Sequence, residues 1–301
     1  MKKKASHLDR KTSTRWAQRL HVYLIEAIMA DSRWTARDVA FHGGTSLHLS
    51  WQSPRFSEDL DFLLSDRRET EEVQRIMDRA RARLQELVMR DDPDFRIELR
   101  NKTRDPGKMP VYHFVLTHPS YLGKVMVKTE FWRVTESYLE NYPVVFRTPV
   151  AKGDVISTVS SAVPVARLET AFADKMTAFA TRPHLKWRDI FDTWWIGTQT
   201  NADVDPDRIA RQFLHNVSAY RTLDDLPPAE ALIKFLERDP EEVVAKAESD
   251  LRKWLPDSLW RRLWPDTVRE MVEYTRETLT RVSDACGGAA EPDSGGGPPT
   301  P

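Results

Sequence analysis

Residues 41–64 read FHGGTSLHLSWQSPRFSEDLDFLL. A short apolar run ends at Gly43-Gly44, and after a loop the segment Ser57-Glu58-Asp59-Leu60-Asp61-Phe62 places acids in what otherwise reads as a buried strand. Strand alternation sends Asp59 and Asp61 to one face and Leu60 and Phe62 to the other. The neighbours Phe62, Leu63 and Leu64 imply poor hydration, so two carboxylates that repel each other need something positive between them. A hard divalent cation such as Mg2+ or Mn2+ meets that need, with substrate phosphates completing its shell. Solvated acids on an exposed edge strand, or pairing to Arg55, would meet it as well. Glycine lets backbone amides approach a ligand closely, and the helix N-terminus expected just beyond offers unpaired N–H groups suited to phosphate. A tight strand-to-helix turn is the plainer use of the same glycines. Taken together, the two stretches favour metal-assisted phosphate chemistry.

Three further stretches have the residue types such chemistry recruits. In Val125-Met126-Val127-Lys128-Thr129-Glu130-Phe131, alternation puts Lys128 and Glu130 on one face. Glu130 is the candidate third carboxylate, and a surface Lys-Glu pair is the alternative. On a helix expected over Val165 to Ala180, Lys175 falls on the inward face with Leu168, Phe172 and Phe179. A lysine there needs an anion, supplied by a salt-bridge partner or by a triphosphate. Asp189 and Asp192 lie three apart on the next expected helix, sharing a face with Leu185 and Ile196.

The remainder of the chain bounds the setting. Its 301 residues suit two modest domains. Lys and Arg number 45 against 46 Asp and Glu, and a single cysteine, Cys286, excludes a disulfide framework and a thiolate metal site. No secretory signal follows Met1-Lys2-Lys3-Lys4, and LHVYLIEAIMA is too short to span a bilayer, so a cytoplasmic protein without a membrane partner is expected. Apolar periodicity predicts helices over Thr12 to Ala30 and Glu69 to Arg90, with strands at Asp38 to His42, Leu60 to Leu64, Phe95 to Leu99, Val111 to Leu116, Lys124 to Trp132 and Pro143 to Val150. Helical periodicity then continues from Pro164 onward. The fold class read from this order is α+β, residues 1–160, followed by a helical domain, 161–285, and a Gly/Pro/Ala-rich tail, 286–301, expected to be disordered.

Three blocks now carry a resemblance: His42-Gly43-Gly44-Thr45-Ser46-Leu47, Arg55-Phe56-Ser57-Glu58-Asp59-Leu60-Asp61-Phe62, and Ala173-Asp174-Lys175-Met176 with Arg188-Asp189-Ile190-Phe191-Asp192. Their order and spacing resemble the AbiEii-type nucleotidyltransferase toxins of type IV toxin–antitoxin and abortive-infection systems, within the DNA polymerase β-like superfamily. The resemblance implies a polymerase β-like core, a mixed sheet with flanking helices, and a helical domain that completes the nucleotide site. It implies phosphate binding at Gly43, Gly44, Thr45 and Ser46, metal binding at Ser57, Asp59 and Asp61, and a role for Lys175 with Asp189 or Asp192. It also implies an NTP substrate, a cognate antitoxin, and transfer to the 3′ acceptor end of tRNA or another RNA; from charge alone, basic segments at the N-terminus and around Arg96, Arg100, Lys102, Arg104 and Lys108 are the expected holders of that acceptor's backbone. The same chemistry on a small-molecule or protein hydroxyl, and a nucleotide-binding module without turnover, remain as other readings of these residues.

Overall fold

The computed structural model describes residues 6–151 and 161–288. The chain forms two units, divided between Arg167 and Leu168. Elements of the first are β1 (Ser6–His7), α1 (Arg10–Ser32), β2 (Val39–His42), α2 (Gly43–Ser50), β3 (Asp59–Ser65), α3 (Thr70–Asp91), β4 (Arg96–Asn101), β5 (Val111–Thr117), β6 (Tyr121–Leu122), β7 (Val125–Val134), α4 (Glu136–Glu140), β8 (Val144–Arg147) and β9 (Val163–Ala166). Seven strands make one mixed sheet in the order β4-β5-β7-β3-β2-β9-β8. Strand β3 lies near its middle, antiparallel to β2 and parallel to β7. The core therefore has the α+β architecture expected from the sequence.

Register explains how the sheet separates its two faces. Phe41 pairs with Phe62, and Phe62 with Phe131, so three phenylalanines form one cross-strand row. Phe62 and Phe131 stack at 5.3 Å between centroids, and Trp34 meets Phe131 edge-on at 5.8 Å. Such aromatic cross-strand contacts are the unit of sheet stabilisation, adding about 0.2–1 kcal/mol per pair. Helices α1 and α3 close this side through Leu20, Leu24, Ile28, Ile76, Ala80 and Leu84, all buried in the same cluster. The adjacent row, His42, Asp61 and Glu130, must by alternation face the other way. One side of β3 is thus committed to packing, which frees the other for chemistry.

The second unit is helical: α5 (Leu168–Thr181), α6 (Trp187–Gln199), α7 (Pro206–Val217), α8 (Pro228–Ile233), α9 (Pro240–Asp250), α10 (Asp257–Leu263) and α11 (Asp266–Gly288). Asp205 and Asp239 cap α7 and α9 by accepting from Arg208 N and Glu242 N, each just before a proline at the first helical turn. Helix α11 runs against α6, α7, α8, α9 and α10. No helix among the described residues is long and apolar enough to cross a membrane.

Several expected boundaries differ. The helix expected over Val165 to Ala180 begins only at Leu168, because Val163–Ala166 pairs with β2 and β8 as the sheet's seventh strand. That pairing also moves the division of the chain beyond residue 160. The tail expected to be disordered from residue 286 is helical through Gly288, with Cys286 buried at 5% exposure; residues 289–301 lie outside the described residues.

Candidate active site

Two backbone features bring the glycine turn against the acidic strand. Gly43, the first residue of α2, has φ +75°, a left-handed conformation that a side chain resists. A Cβ built there would stand 2.6 Å from Asp61 Oδ2. At Gly44 a Cβ would collide with Arg55 Nη2 and stand 2.9 Å from Ser57 Oγ. The turn is glycine because Asp61, Arg55 and Ser57 already occupy the space beside it. Gly43→Ala is therefore expected to cost about 1–3 kcal/mol in backbone strain and crowding. Comparing urea midpoints of the variant and wild type checks this; equal midpoints would show that Asp61 moves aside freely.

Other side chains fix the segment rather than face outward. Thr45 Oγ1 donates to the Asp59 carbonyl, and Ser46 Oγ donates to Gly43 O at 2.9 Å. Both residues are fully buried. Their hydroxyls are thus engaged by backbone, which ties α2 to the start of β3. His21, which the sequence reading passed over as part of an apolar run, does similar work. Its Nε2–H donates to Glu58 O at 2.8 Å, and burial pushes its pKa down to about 4, so the ring is a neutral donor at physiological pH. The signal was a histidine among apolar residues on a core helix, which pattern alone cannot separate from packing.

On the open face, register sets Asp59 beside Lys128 and Asp61 beside Glu130. Lys128 Nζ lies 3.1 Å from Asp59 Oδ2 and 3.0 Å from Glu130 Oε2. Burial opposes the ammonium charge, but Asp59 and Glu130 outweigh it and hold the Lys128 pKa above its ordinary value. Glu130 is shifted upward, first by burial and further by Asp61 and Asp59, against the pull of Lys128. The positive partner demanded by the acids is thus present as a lysine. His113 extends the row on the far side of Lys128; burial, Lys102 and Lys128 lower its pKa.

Asp59, Asp61 and Glu130 form a donor set that suits a hard divalent cation: three carboxylates on one half-buried face, two of them already gathered around a stand-in cation. Asp92, Asp94 and His118 are a different group, with ligand atoms all within 4.8 Å of one another. Here Ser120 N–H donates to His118 Nδ1 at 3.1 Å, which leaves the ring proton on Nε2, 3.3 Å from Asp92 Oδ1. His118 and Asp92 thus form an imidazole–carboxylate contact away from the acidic strand.

In the helical unit, Lys175 joins both aspartates on α6. Its Nζ lies 2.8 Å from Asp192 Oδ2 and 3.3 Å from Asp189 Oδ1, and Arg182 pairs with the other Asp189 oxygen. Lys175 is 7% exposed, Asp189 3% and Asp192 not at all. Burial alone would raise the Asp189 pKa, but Arg182, Lys175 and Arg188 override it and hold the carboxyl well below the ordinary range. The anion that Lys175 requires is supplied within this unit. Beyond Arg182 opens a cleft of about 520 Å3 whose walls include Lys186, Asp189, Lys234, Phe235 and Arg238.

MenT4, a nucleotidyltransferase toxin from Mycobacterium tuberculosis, has the same fold: TM-score 0.55 and 18% identity over 91% of this chain and 88% of that one. JHP933 from Helicobacter pylori aligns over 94% of this chain and 96% of its own, at 17% identity and TM-score 0.49. No curated protein matches the chain significantly. The family signature described as "Nucleotidyl transferase AbiEii toxin, Type IV TA system" spans residues 27–286, from within α1 to within the last turn of α11. That span takes in the glycine turn, the acidic strand and the lysine–aspartate network together, and the chain belongs to the AbiEii family of nucleotidyltransferase toxins.

Proposed function

We propose that this nucleotidyltransferase transfers a nucleotide from an NTP to the 3′ end of an RNA, with tRNA the foremost acceptor, and that an antitoxin restrains it in the cytoplasm. The observation that carries this reading is the meeting of Gly43 with Asp61, which sets an anion-accepting turn beside paired carboxylates. Asp59, Asp61 and Glu130 would hold Mg2+ or Mn2+, which when bound supplies charge neutralisation on the triphosphate. The chain's own groups do the rest. Backbone amides at the N-terminus of α2 would receive phosphate oxygens, and Ser57, beside Gly44, would add a hydroxyl to the same rim. A carboxylate of the pair would take the proton from the acceptor hydroxyl as it attacks the α-phosphorus and pyrophosphate leaves. Lys175, Asp189 and Asp192, which the resemblance linked to the nucleotide, are engaged with one another inside the helical unit.

An RNA acceptor is supported by a polar row that crosses four strands. Arg100 pairs in register with His113, His113 with Lys128, and Lys128 with Asp59, so basic groups lead across the sheet to the carboxylates. Arg100 is partly spent on Glu98, which it grips through two bonds of 2.7 Å. Lys108 lies over the Trp132 ring.

Incubation with divalent metal and each α-labelled NTP, using total tRNA with intact or periodate-oxidised 3′ ends, tests the acceptor. Label from at least one NTP is expected in intact tRNA and not in the oxidised sample. Equal labelling of both would place the transfer elsewhere on RNA. Label in neither would turn the search to small-molecule and protein hydroxyls.

A further inference from the structure

The two buried lysine networks of this chain differ in one respect that matters for a metal. Lys175 is sealed: its side chain is 9% exposed and its partners Asp189 and Asp192 are 4% and 0% exposed. Lys128 makes ion pairs of the same kind, yet it is 29% exposed, between Asp59 at 31% and Glu130 at 24%. An ammonium on a flexible four-carbon stem can leave the second position for water without unpacking its surroundings. From the first it cannot.

We propose that Lys128 is a resident counter-cation of the metal site: in the metal-free protein it holds Asp59 and Glu130, and a divalent cation must displace its ammonium to take the same oxygens. The inference rests on the reading of Asp59, Asp61 and Glu130 as metal ligands, and makes Lys128 a positioning residue that sets the metal affinity.

Three observations support it. Register places Lys128 directly beside Asp59 on the neighbouring strand and two residues before Glu130 on its own, so no shift of backbone could separate it from either acid. The ammonium uses Asp59 Oδ2 and Glu130 Oε2 themselves, and its charge at hydrogen-bond distance from those oxygens opposes a second cation there. Among the described residues, the group of three ligand-type side chains whose atoms converge within 4.8 Å is Asp92, Asp94 and His118, not the three acids of this face. With Lys128 in place, Asp59 and Glu130 are held around an ammonium. Removing the lysine would therefore weaken the metal-free arrangement and strengthen metal binding, opposite to what loss of a mere structural brace would do.

The test uses the full-length protein and Mn2+ as the probe, with binding followed by calorimetry or by the free Mn2+ resonance. If the lysine occupies the site about nine-tenths of the time, Lys128→Met is expected to bind Mn2+ about tenfold more tightly than wild type, since apparent affinity scales with the competent fraction. Lys128→Arg, which keeps a cation in place, is expected to stay within about twofold of wild type or to bind more weakly. Lys128→Met binding no tighter than wild type overturns the proposal. Should that variant not fold, reductive methylation of the wild-type protein decides: modification of Lys128, mapped by mass spectrometry, should rise with saturating Mn2+ while Lys175 stays protected. Labelling of Lys128 indifferent to Mn2+ overturns it too. Mn2+ binding that Asp59→Asn, Asp61→Asn abolishes but Lys128→Met leaves unchanged defeats this inference alone. No Mn2+ binding by wild type or by Lys128→Met defeats the metal reading along with it.

Discussion

Nucleotidyl transfer is expected to fall about a thousandfold or more in the double variant Asp59→Asn, Asp61→Asn, roughly 4 kcal/mol or more of lost transition-state stabilisation. The amides keep the volume of the acids and remain on the same face of β3. They remove the charges that would hold a divalent cation against the triphosphate, and they remove the base for the acceptor hydroxyl. Stability should change little by comparison, within about 1 kcal/mol, because both side chains are partly exposed and the pairing of Asp59 with Lys128 is screened by solvent. Loss of activity with an unchanged thermal midpoint would tie the chemistry to these two carboxylates. A loss of activity that follows loss of fold would say only that the strand needs them.

The reverse division is expected for Lys175→Met. Asp192 is fully buried and Asp189 nearly so, and the substitution removes the cation they share. Breaking a buried pair from one side leaves an uncompensated charge and costs about 3–5 kcal/mol, a shift on the order of 10 °C in the melting of a unit this size. Adding Asp192→Asn should recover a large part of that loss, because the stranded charge disappears with its partner. The Asp189 pKa is depressed, so its contribution is fully present above the usual carboxylate range and is withdrawn as pH falls through the lower folded-state value. At neutral pH the network is intact. If Lys175→Met melts like wild type yet loses NTP binding, the lysine serves the nucleotide directly and the aspartates do not depend on it.

These outcomes also mark what the sequence could reveal. The strand at Asp59–Ser65 was legible because period-two alternation between acids and large apolar residues has one sensible folding, with the apolar set inside. The glycine turn was legible from the scarcity of glycine in the folded part of the chain. Lys128 and Glu130 were visible as a same-face pair, but their partner was not: the parallel pairing of β3 with β7 joins residues far apart in sequence, and periodicity has no information about register. Strand β9 was lost in a helical pattern because Val163-Pro164-Val165-Ala166 is four residues long and abuts α5. Thr45 and Ser46 show a further limit. The resemblance implied phosphate binding at both, and sequence alone had no way to show that their hydroxyls donate to the carbonyls of Asp59 and Gly43.

The measurement that bears most directly on the central claim compares two labels on one substrate. Purified protein is given tRNA, divalent metal and each NTP labelled either at the α- or at the γ-phosphate, beside the Asp59→Asn, Asp61→Asn variant. Label is expected in RNA from an α-labelled NTP and not from the γ-labelled one, to vanish with EDTA, and to be absent with the variant. Label arriving from the γ-phosphate, or equal labelling by the variant, would contradict metal-dependent nucleotidyl transfer at Asp59 and Asp61.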